Sequence, residues 1–136
     1  MMTVLVVGVP EGEELERLRS RIQSSPHFRV ISHANGQAVA LAHARALLPD
    51  ITVLALPDGL DSLDGDPDVL GVFQGVRALD PPSGVVLHAA SDAHRALSGL
   101  EVDGAVHIVR DGDTGGLMHA LRAIGLRRES CDPDAP

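Results

Sequence analysis

The sequence predicts an α/β fold: a five-stranded parallel sheet in order 2-1-3-4-5, with helices on both faces. Three observations carry that prediction. Apolar runs alternate with helical patterns five times along the chain, as serial strand–helix units require. The apolar runs are nearly continuous in Val, Leu, Ile and Ala, which suits strands covered on both sides. The length, 136 residues, is enough for one domain with a real core and too short for two.

Each element has its own signature. "TVLVVGV" (3–9) is a buried strand. "EELERLRSRI" (13–22) places Leu15, Leu18 and Ile22 on one helical face. "FRVISHA" (28–34) is more polar, as an edge strand is, and "QAVALAHARALL" (37–48) is an Ala-rich helix stopped by Pro49. "ITVLAL" (51–56) is the third strand. "VLGVFQGVRAL" (69–79) keeps Val72, Val76 and Leu79 in helical register, although Gly71 and Gly75 each cost about 1 kcal/mol of helix propensity. "GVVLHAA" (84–90) is the fourth strand, and "AHRALSGL" (93–100) is a short helix capped by Ser91 or Asp92. "GAVHIV" (104–109) is the fifth strand. "GGLMHALRAIGLRR" (115–128) closes the domain with Leu117, Leu121 and Ile124 inward and Asp113 or Thr114 as cap. The domain is thus expected over 1–128. Residues 129–136, "ESCDPDAP", read as a flexible tail or the start of a linker. "PDGLDSLDGDPD" (57–68), with five Asp, reads as a long solvated loop at the carboxyl edge of the sheet.

Composition excludes several classes of function. A formal charge of −8 repels a phosphate backbone, and the only aromatic residues, Phe28 and Phe73, give no base-stacking surface. Cys131 is the single cysteine, so no internal disulfide forms, which fits a reducing cytoplasm. No run of about 18 apolar residues is present for a membrane span, and the N-terminus lacks the pattern of a signal peptide. All 11 basic residues are Arg, and Ala, Gly and Pro are plentiful, a composition that points to a GC-rich, bacterial genome.

In a doubly wound sheet, chemistry collects beyond the carboxyl ends of the strands. Four phrases fall there or lead into it: "TVLVV", "ALLPDITVLAL", "DGLDSLDG" and "HIVRDGD", with 22 residues from His88 to Arg110. In this order they resemble the receiver domain of bacterial response regulators, of the NarL/LuxR type, over residues 2–128. The resemblance implies the flavodoxin-like (βα)5 three-layer sandwich. It also implies a site in which an acidic pair after strand 1 holds Mg²⁺ and an Asp ending strand 3 accepts a phosphoryl group. A strand-4 hydroxyl and a strand-5 Lys then bind its oxygens. In this chain the acidic pair falls on Gly8 and Val9, the acceptor on Ala55, the hydroxyl on His88 and the Lys on Arg110. The aromatic switch position falls on His107. Those substitutions describe a pseudo-receiver, with no catalytic residue, no cofactor and no metal expected.

Other constellations are weaker. Asp58 or Asp61 could replace the acceptor, but Asp58 lies three residues past Ala55, roughly 10 Å of extended chain, and is most simply a turn residue. Glu11 and Glu13 suit the start of a helix. Of the seven His, His88 and His107 lie near one edge and His33 further away, without metal-ligand spacing. His43 and His119 read as helix-surface residues. His88, Ser91 and Asp92 hold the letters of a triad without its geometry. Arg110 either pairs with Asp58, Asp61 or Asp111 or binds an anion.

The expectation is a non-enzymatic signalling module that controls a transcription regulator by homodimerising. The resemblance offers a face from helix 93–100, the fifth strand and the closing helix, with Arg95, Leu97, Val106, Met118 and Arg122 in contact. DNA would be touched only through a helix-turn-helix domain absent from this chain. The alternative is a sensor that binds a small molecule through His88, Arg110 and Asp58 in the vacated pocket.

Overall fold

The computed structural model describes residues 2–57, 66–89, 105–110 and 113–131. Its elements are β1 (Met2–Val7), α1 (Glu13–Ile22), β2 (Phe28–Ala34), α2 (Gln37–Leu47), β3 (Ile51–Ala55), α3 (Pro67–Arg77), β4 (Gly84–Ala89), β5 (Val106–Arg110) and α4 (Thr114–Cys131). The five strands form one parallel sheet in order β2-β1-β3-β4-β5, as the sequence predicts. The expected helix at 93–100, with its caps Ser91 and Asp92 and its contact residues Arg95 and Leu97, lies outside the described residues. So do Asp58, Asp61 and Asp111.

Successive strand residues point to opposite faces, and this divides the core into two layers. Val4 and Val6 of β1, Ile51 and Val53 of β3, Val86 of β4 and Val109 of β5 pack with Leu15, Leu18 and Ile22 of α1 and Leu117, Leu121 and Ile124 of α4. Leu5, Val7, Leu54, Val85, Leu87, Val106 and Ile108 meet Ala40 and Ala44 of α2 and Val69, Val72 and Val76 of α3 on the other face. The inward residues read for α1 and α4 are buried, as are Val72 and Val76 of α3, whereas Leu79 is partly buried and lies past the end of α3.

Local differences have physical causes. β1 ends at Val7, two residues early, because Gly8 leaves the strand at φ +89°. α3 begins at Pro67, two residues before the apolar pattern does. Asp66 caps it, its Oδ1 accepting from the Asp68 and Val69 amides. Proline at the first helical position needs no amide hydrogen. The last three residues of the expected acidic loop thus start a helix. At the closing helix Asp113 is the cap, its Oδ1 accepting from the Gly116 amide at 2.9 Å. α4 runs on through Cys131, past the expected domain border at 128.

Candidate functional site

Strand register brings the expected positions to one edge. Val7 pairs with Leu54, so Gly8 follows directly beside Ala55. Ala55 pairs with His88, His88 with Val109, and Ala89 with Arg110. The Leu56 amide donates to the His88 carbonyl at 3.0 Å and carries the β3–β4 ladder one step further.

Gly8 and Ala55 form the tightest part of this edge. The Gly8 amide donates to the Ala34 carbonyl at 3.0 Å. A Cβ placed on residue 8 would stand 2.7 Å from the Ala55 carbonyl oxygen. Positive φ adds backbone strain for any other residue. Val9 is 5% exposed and packs among Val4, Leu15 and Leu18. Neither side chain offers an oxygen, and at residue 8 the Ala55 carbonyl leaves no room for one.

The two described acids that follow β1, Glu11 and Glu13, are engaged elsewhere. Glu11 lies before α1 rather than in it, and its Oε1 is 3.0 Å from His33 Nε2 across to β2. Glu13 opens α1 and pairs with Arg17 at 2.6 Å. A divalent cation prefers several hard oxygen ligands, and among the described residues no three His, Cys, Asp or Glu side chains come together. The described residues beside Ala55 offer no such set of oxygen ligands.

Two hollows border the edge. One, of about 230 Å³, is lined by Gly8, Ala55, Leu54, Val69 and Val72, with Gln37 and Asp68 at the amino ends of α2 and α3. The other, of about 330 Å³, lies between β5 and α4, with His107, Arg110, Asp113 and His119 on its walls. The four positions expected to share a pocket are therefore divided: Gly8 and Ala55 line the first, Arg110 lines the second and His88 lines neither of the two. Alternation does not make the division: Ala55 packs against the α1–α4 layer, as Val109 does, and meets the first hollow only where β3 ends.

Alternation does correct one contact residue. Val106 is 4% exposed and faces the core with Ile108, so it cannot lie on a contact face. Met118 is half-buried against the α4 layer, and Arg122 is exposed. His119 is exposed, as expected of a helix-surface residue. His43 is half-buried, its Nδ1 2.7 Å from Ser32 Oγ.

The sequence reading missed the polar contacts at the opposite edge. Asp50 Oδ2 accepts from the Thr3 amide at 2.8 Å and its hydroxyl at 3.2 Å, and the Asp50 amide donates back to Thr3 Oγ1 at 3.1 Å. Buried Thr52 and Ser83 join hydroxyls at 2.9 Å. Asp50 had a signal, as the acid of the Pro-Asp phrase. Thr52 had one as the polar exception in an apolar strand.

No family model and no curated protein matches the chain in sequence. Solved structures do match in shape. A LuxR-family two-component response regulator from Aurantimonas sp. SI85-9A1 aligns with a TM-score of 0.68 at 21% identity, over 90% of this chain and 84% of that one. The response regulator domain of Thermotoga maritima CheB aligns at 0.64 and 18% identity, over 97% and 98%. RcsB from Salmonella enterica serovar Typhimurium, bound to a promoter in the presence of a phosphomimetic, aligns at 0.68 and 16%, over 92% and 99%. The chain has the flavodoxin-like fold of response-regulator receiver domains.

Proposed function

We propose that this chain is a receiver-like signalling module of the NarL/LuxR type that works without phosphorylation and controls a transcription regulator through dimerisation. The observation that carries this reading is Gly8 against Ala55. The acceptor position holds a methyl group, and the position that would hold the cation has no space for a carboxylate. The module is non-enzymatic and cytoplasmic, and needs no cofactor. Contact with DNA would lie with a helix-turn-helix domain outside this chain, in keeping with its charge of −8.

The test is intact mass after incubation with Mg²⁺ and acetyl phosphate. The expected outcome is no gain. A stoichiometric gain of one phosphoryl group would overturn the reading and make Asp58 or Asp61 the acceptor to substitute.

The hollow beside Gly8 and Ala55, with Gln37 and Asp68 at its border, favours a second reading, a module that senses a small molecule there without the expected contacts His88 and Arg110. A ligand of that hollow raises the melting temperature by mass action, with the logarithm of its concentration above Kd. A metabolite screen by thermal shift separates the two readings, since the first expects no stabilising compound.

A further inference from the structure

Asn35 is the single asparagine of the 136-residue chain, and a glycine follows it. The pair lies between β2, which ends at Ala34, and α2, which begins at Gln37. Both residues are exposed. The Asn35 side chain has one hydrogen bond among the described residues. Its Nδ2 donates to the Val9 carbonyl at 3.3 Å, long for such a bond. The Gly36 carbonyl accepts from the Ala40 amide at 3.1 Å, but the Gly36 amide donates to no acceptor among the described residues. A Cβ built on Gly36 would meet nothing within 4 Å, so the joint stands open on that side. These features bear on one reaction. An asparagine amide carbon and the next backbone nitrogen can close a five-membered ring. A side chain on the next residue obstructs the closure, and glycine has neither that obstacle nor its limits on backbone rotation.

We propose that Asn35–Gly36 is a self-modification site, where the folded protein deamidates without an enzyme. The Gly36 nitrogen gives its proton to a solvent base and attacks Asn35 Cγ. The N–Cγ bond forms, the Cγ–Nδ2 bond breaks, and Nδ2 takes up a proton from water and leaves as ammonia. Water then opens the resulting succinimide. Attack at Cγ yields aspartate. Attack at the Asn35 main-chain carbonyl yields isoaspartate, whose backbone runs on through the former side chain. In sum an amide and water become a carboxylate and ammonium, and nothing is oxidised or reduced. Either product adds one negative charge to the −8 of the chain. The bond to the Val9 carbonyl is lost, since a carboxylate has no hydrogen to donate. The new charge lies next to the amino end of α2, whose first turn holds no acid and whose cap supplies no side-chain hydrogen bond. The helix dipole favours a carboxylate at that end. The modification thus adds an acid to the carboxyl edge of the sheet, one residue past the Ala34 carbonyl that holds the Gly8 amide.

The test is a time course of the full chain in mildly alkaline buffer, once native and once unfolded in urea, read by intact mass and isoelectric focusing. Deamidation, the weakness of a thermolabile asparagine, adds about 1 Da and one negative charge. Isomerisation at an Asp–Gly pair elsewhere in the chain changes neither. The native chain is expected to convert at a rate within about tenfold of the unfolded one, because an exposed joint needs little local opening. Asn35→Ser keeps a polar side chain that cannot close the ring, and should abolish the conversion. Asn35→Asp should focus where the product does. A native chain slowed by more than that factor overturns the proposal, since the fold then shields the joint. Conversion that persists in Asn35→Ser overturns it as well, and moves the reaction to Gln23, Gln37 or Gln74.

Discussion

A Cβ at residue 8 meets a backbone oxygen, which cannot swing aside as a side chain can. Gly8→Asp, the change that would restore half of the acidic pair, is therefore expected to destabilise the fold by about 2 kcal/mol or more. Thermal denaturation followed by circular dichroism should show the melting temperature falling by roughly 5–10 °C. Added Mg²⁺ should not reverse the fall. The loss of the acids was legible through the resemblance to receiver domains, which sets Gly8, Val9 and Ala55 at the positions where that family carries them. The closed space was not legible, since that depends on how β1 and β3 align and on the φ of one residue. Val106 and His107 teach the same lesson from the other side. Their place on β5 could be read from sequence, but which of the two faces the core is decided by where the strand begins.

Among the elements, α3 shows what a propensity count leaves out. Gly71 and Gly75 weaken it as a helix, yet both face α2, and Cβ atoms there would overlap the side chains of Gln37 and Leu41. The missing side chains let the two helices approach closely. The end of Leu41 is flexible, so Gly75→Ala is expected to change stability little: about 1 kcal/mol of added propensity offsets the displacement. Gly75→Leu has no such escape and should cost about 2 kcal/mol. Urea denaturation of the two variants measures the difference. The bounds of α1 and β2 were legible to the residue, because Glu13 opens an amphipathic run that ends at Ile22 and the next strand is bracketed by turn residues. The start of α3 was not, because Asp66 and Pro67 are hidden in an Asp-rich stretch.

For the molecule as a whole, the order of strands follows from the alternation of apolar runs, which is a property of the entire chain and survives errors in any one element. The site follows only in part, since its hollows are made by helices whose distance from the sheet depends on side-chain size. The polar contacts at the amino edge bear on both. Ile51, Val53 and Leu54 would tolerate a shift of β3 by two residues, which keeps every side chain on its own face. Such a shift would take Thr52 from Ser83 and Asp50 from Thr3, and stranding the buried Thr52 hydroxyl costs about 1–3 kcal/mol. These two pairs work as a checksum on the central strand, one against each neighbour. Alignment is proofread at the amino edge, so residues at the carboxyl edge can be exchanged over evolutionary time without the sheet losing its place.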